Sequence, residues 1–169
     1  AARERGATPA RVDQAELTLF APGIALEQAR EDCAGLEPVG EQVETLTWNT
    51  RQSTDAYVRL IAGLLAVVFE AADSASDPEI SRLLVALFNF MQGKEFAGQE
   101  RAAGSALFAS GRAEVAEQQR LLHFIESQER CLQVFSEFAN PQAADLWTSS
   151  QASAMLAELE RLRRVLCTA

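Results

Sequence analysis

From Pro78 to Ser110 the chain runs with no proline after the first position and no cluster of turn residues, and so long an unbroken stretch constrains its fold more than any other feature. Asp77-Pro78-Glu79 opens the stretch. Proline fits the first helical position, where its missing amide hydrogen costs nothing, and the acids oppose the positive end of the helix dipole. Gly111 closes it. The pattern predicts one helix from Pro78 to about Ser110, the longest in the chain.

Periodicity and breakers divide the remainder in the same way. A short element is expected around Pro9–Phe20, a helix over Ile24–Gly35 and, after Pro38 and Gly40, a third amphipathic segment over Glu41–Asn49. A long helix opens at "STDAY", with Ser53 or Thr54 as N-cap and a stripe through Leu60, Leu64 and Val67 or Val68. Beyond Gly111, Arg112–Ala139 forms a helix through Val115, Leu122, Ile125, Leu132 and Phe135, and a last one runs from about Gln142 to Leu166. Abundant Ala, Leu, Glu, Gln and Arg are strong helix formers, so the fold class is all-α. Short breaks between long helices favour antiparallel neighbours in an up-and-down bundle.

With 169 residues, 48% of them apolar, the chain can bury one domain-sized core. Its net charge of −9 repels phosphate and acidic membrane surfaces, so this segment is not expected to contact nucleic acid or membrane. No apolar run reaches the roughly 20 residues needed to span a bilayer. Cys33, Cys131 and Cys167 lack zinc-ligand spacing and read as free thiols in a reducing, cytoplasmic setting. The chain has none of the motifs GxGxxG, P-loop, HExxH or GxSxG, and no di-iron pattern of carboxylates. His123, flanked by Leu122 and Phe124, reads as a packing or solvent-edge residue. No enzyme activity, metal or cofactor is expected.

Charges on apolar stripes carry the functional signal. On a helical wheel Ile80, Leu83, Leu84, Leu87, Phe90, Met91 and Phe108 gather on one side of the Pro78 helix, with Lys94, Gly98, Arg101 and Ser105 in their midst. If that side is buried, Arg101 finds no carboxylate three or four positions away and needs a partner from elsewhere. The partner is either a glutamate of another helix or a ligand. In the last helix Met155, Leu156, Leu159, Leu162 and Leu166 form the stripe; Arg163 lies along it, while Arg161 and Arg164 point away. Two such guanidinium groups suit a planar or tetrahedral oxyanion.

The segments "VALFNFMQGKEFAGQERAAGSALFASG", "RERG" and "LERLRRVLCT" resemble the NIT domain, the nitrate- and nitrite-sensing module of bacterial signalling proteins. The resemblance is specific from Asp77 to Ala169 and weak between Thr8 and Asn49. It implies an all-helical sensor of bundles packed on one another, a homodimer, with nitrate or nitrite held by arginines. In nitrate-responsive transcription antiterminators the module precedes an RNA-binding ANTAR output domain. Residue by residue, the family's "ERG" arginine matches Arg5, the arginine of "KExxGQER" matches Arg101, and the first arginine of "LRRV" matches Arg163. Arg3 is a second contributor from "RERG". Lys94, about two turns from Arg101, either adds positive potential or neutralises Glu95 or Glu100.

The chain starts at "AARERG" without methionine. It therefore reads as one sensor domain over residues 1–169, truncated at its N-terminus and without its output domain. A structural bundle with buried Arg–Glu pairs and a sensor of another small anion, such as a carboxylate, are the alternatives.

Overall fold

The computed structural model describes residues 27, 30, 31 and 33–168. Arg3, Arg5 and the element expected over Pro9–Phe20 lie outside them. Six helices are defined among the described residues, and no strand: α1 (Leu36–Glu44), α2 (Thr50–Ser74), α3 (Pro78–Ser110), α4 (Val115–Phe138), α5 (Pro141–Ser150) and α6 (Ala154–Thr168). The chain is all-α.

Helix α3 has the bounds its end signals predict. The Asp77 carboxylate accepts hydrogen bonds from the Glu79 and Ile80 amides, and Gly111 at φ 63° turns the chain out of the helix while donating its N–H to the Leu107 carbonyl. Glycine meets no steric penalty in that left-handed conformation. The short connection that follows folds α4 back along α3. Phe90 meets Phe135 at 5.0 Å between ring centroids, Gly93 faces Leu132 and Cys131, and Glu100 meets Gln128. Rising numbers on one helix match falling numbers on the other, so the pair is antiparallel. The Trp147 indole of α5 lies edge-on to both rings, at 5.9 and 6.1 Å. On the other flank α2 runs antiparallel to α3, with Phe69 beside Phe88 and the Ser81 hydroxyl donating to the Ala72 carbonyl. Near the turn of the α3–α4 hairpin, Leu107, Leu121, Ile125 and Leu166 form a buried cluster that docks α6.

Three boundaries differ from the sequence reading. Helix α2 is capped by Asn49, whose side chain accepts from the Gln52 amide while Gln52 returns a bond to the Asn49 N–H. This reciprocal box precedes Ser53 and Thr54. Helix α1 begins before Pro38, because an amide hydrogen missing from the first turn has no partner to lose. It ends at Glu44, and Leu46 adopts a left-handed φ of 53°, so the segment expected to reach Asn49 stops short. The single helix expected from Gln142 to Leu166 is two helices, α5 and α6, broken at residues 151–153. Hydroxyls there compete for backbone groups: Ser150 bonds the Trp147 carbonyl, and the Ser153 hydroxyl accepts from the Met155 amide.

The inward face of α3 is also not the one the wheel predicts. Its buried residues are Ala86, Gly93, Glu100, Gly104 and Leu107, and four of these recur every seven positions along the seam with α4. Ile80, Leu83, Leu87, Met91 and Phe108 are 37–47% exposed, and Lys94 and Arg101 are exposed with them. Small residues form the seam because they let α4 approach closely: a Cβ on Gly93 would stand 3.3 Å from Leu132.

Candidate anion site

Where α3, α4 and α6 converge, a cavity of about 250 Å³ is walled by Arg101, Glu100 and Gly104 of α3, Gln128 of α4, and Leu162 and Arg163 of α6. The spacing of α6 brings Arg163 inward. Three residues on, Leu166 is buried in the core cluster against Gly104, and Arg163 shares that face.

The Arg163 guanidinium is engaged side-on. Its Nε donates to Glu100 Oε1 at 2.7 Å and its Nη2 to Glu100 Oε2 at 2.7 Å, while Nη1 donates to Glu160 Oε1 at 3.1 Å. Gln128 Nε2 adds a 2.7 Å bond to Glu100 Oε2. Three donors therefore converge on one carboxylate. The side chains of Arg163 and Glu100 are only 13% and 10% exposed, so the pair is largely withdrawn from water. Hydrogen bonding to the Glu100 carboxylate holds the Arg163 proton more tightly than in a free guanidinium, against the opposing effect of burial. Glu129 on α4 stands farther off, at 3.9 Å from Nη1.

Arg101 occupies the same wall but a different face. It is exposed and makes no ion pair among the described residues. Lys94 lies away from this cavity, in a groove with Ile61, Leu64, Leu65 and Met91, and its ammonium is 6.0 Å from the Phe90 ring centroid. Glu95, a partner considered for Lys94, instead accepts a bond from Gln99. The structure thus brings Arg101 and Arg163 to one cavity and leaves Lys94 outside it. Arg161 is exposed and paired with Glu158 at 2.7 Å, in keeping with its outward placement on the wheel.

Glu100 and Gln128 were not picked out as site residues by sequence reasoning. The signal for Glu100 was available as a carboxylate in register with Ala86, Gly93 and Leu107. Among the described residues no His, Cys, Asp and Glu side chains are grouped to hold a metal ion, and no described helix is long and apolar enough to cross a membrane.

The chain is thus an all-helical module in which two arginines of different helices line one cavity. The chain belongs to the NIT family, described as nitrate and nitrite sensing, which it matches over residues 1–169. It is 43% identical over 117 residues to a nitrate regulatory protein of Klebsiella oxytoca, a match covering 69% of this chain and 29% of that protein. The chain thus spans less than a third of that relative's length. No solved structure matches it.

Proposed function

We propose that the chain is the sensing part of a cytoplasmic, non-enzymatic regulator that binds nitrate or nitrite through Arg101 and Arg163. The observation that carries this reading is that both arginines wall one cavity, with the fork of Arg163 already holding a planar two-oxygen anion, the Glu100 carboxylate. Nitrate and nitrite present the same kind of edge. The family resemblance adds Arg5 and Arg3 as further ligands, and Lys94 adds potential from outside the cavity. Anion binding favours one arrangement of α3, α4 and α6. That arrangement is passed to an output domain, such as an RNA-binding ANTAR domain, in a homodimer. The exposed stripe of Ile80, Leu83, Leu87 and Met91 on α3 supports pairing with a second copy.

Thermal melting against nitrate, nitrite, sulfate, formate and chloride tests the assignment. A ligand of the folded state raises stability by mass action, by about 2.7 kcal/mol at a hundred times its Kd. Nitrate or nitrite should raise the melting temperature and chloride should not; equal responses to all five salts would reject the reading. The competing reading is a structural bundle, and the Arg163–Glu100 pair favours it. Under that reading nitrate changes the melting temperature no more than chloride does at the same ionic strength.

A further inference from the structure

We infer that Glu100 is a built-in competitor for the anion, and that binding exchanges its carboxylate for nitrate or nitrite on the same donors, with Gln128 becoming a ligand. This rests on the proposed function and adds to it a gating residue and a binding residue. Arg163 Nε and Nη2 and Gln128 Nε2 are all spent on Glu100, each at 2.7 Å, and Arg163 Nη1 is spent on Glu160. An anion entering the cavity finds the Nε/Nη2 fork of Arg163 already taken by the Glu100 carboxylate. It also meets the Glu100 charge, which repels it while the carboxylate stays in place.

When Glu100 swings away, three N–H donors are left pointing at the space its two oxygens held. A planar oxyanion fills that arrangement with the same hydrogen bonds; chloride, a single centre, cannot satisfy donors spread over two positions. The adjacent residue in sequence, Arg101, walls the same cavity and brings a charge not engaged by any carboxylate among the described residues. Exchange costs affinity, because the apparent Kd is the intrinsic one divided by the fraction of molecules with the fork open. It also ties occupancy to structure: Glu100 is the ionic link between α3 and α6, so an arriving anion must break an interhelical bond before it can form its own.

The test is calorimetric and thermal titration of the folded chain with sodium nitrate, sodium formate and sodium chloride at constant ionic strength. Glu100→Gln removes the competing charge, and nitrate should bind at least tenfold more tightly than to the wild type. Adding Gln128→Leu to that variant should remove most of the gain. Wild-type nitrate binding that E100Q leaves within twofold or weakens would overturn the exchange. Glu100→Ala supplies a second readout, since it vacates the carboxylate's place: formate should raise the melting temperature of that variant and leave the wild type unmoved. Failure of formate to do so also counts against the exchange. Formate rescue with no nitrate binding in any form would uphold the exchange and reject nitrate as the ligand.

Discussion

Gly104 stands where a Cβ would come within 3.4 Å of the Leu166 side chain, one helical turn beyond the point at which Glu100 meets Arg163. The close approach of α6 to α3 and the ionic contact between them are therefore adjacent parts of one docking. Alanine at position 104 makes only ordinary contact and adds helix propensity, so Gly104→Ala should be neutral or stabilising by up to about 1 kcal/mol. Gly104→Val overfills the contact and should cost about 1–3 kcal/mol in urea denaturation. Equal stability of the two variants would show that α6 does not depend on this approach.

The two arginines of the cavity should behave oppositely when removed. Arg163→Met leaves the Glu100 carboxylate buried with only Gln128 as partner, and loss of one member of a buried pair costs about 3 kcal/mol or more. Arg101→Ala removes an exposed side chain with no ion pair among the described residues and should change stability by less than about 0.5 kcal/mol. Nitrate should protect neither variant as it does the wild type. Melting curves with and without nitrate separate the two effects; a large loss of stability in Arg101→Ala would favour a purely structural role.

The thiols provide a pH-dependent readout of the same region. Burial pushes Cys131 and Cys167 above the ordinary thiol value, and at Cys167 Glu100 pushes in the same direction while Arg163 opposes it. A raised folded value means that the protonated thiol is favoured by folding. The resulting stability is fully present below the unfolded thiol's pKa and is lost as pH rises through the folded value. Iodoacetamide at mildly alkaline pH should modify exposed Cys33 first and the other two slowly. In Glu100→Gln, Cys167 should react faster and Cys131 at an unchanged rate, as followed by mass spectrometry. A Cys167 rate that does not respond to the substitution would count against its electrostatic coupling to Glu100.

What could be read from the sequence was whatever had a local chemical cause. Asp77, Pro78 and Gly111 set the ends of α3 by hydrogen bonding and backbone freedom, and Arg163 follows from its place on the α6 stripe. The face of α3 was not readable in this way, because the stripe through Ile80, Leu83, Leu87 and Met91 is not the α4 seam, and Phe88, Phe96 and Leu107 lie off that stripe. The α4 seam is built instead from Ala86, Gly93 and Glu100, which a hydrophobic pattern ranks low. A tertiary contact that rewards small size therefore overrides apolarity. The break between α5 and α6 was hidden because serine and threonine hydroxyls terminate a helix only when they turn onto the backbone, as Ser150 and Ser153 do. Glu100 escaped notice for a related reason: a glutamate beside an arginine looks solvated until a second helix supplies its partner.

The continuity of α3 has a mechanical consequence. Its 33 residues contain no interior proline, so the helix can turn as a single rod. Glu100 stands about 33 Å along the axis from Pro78, at a rise of about 1.5 Å per residue. A pivot of about 5° at the glutamate then carries the distant end by about 3 Å. Any tilt of α3 that accompanied exchange at Glu100 would therefore be larger at the Pro78 end than at the site itself.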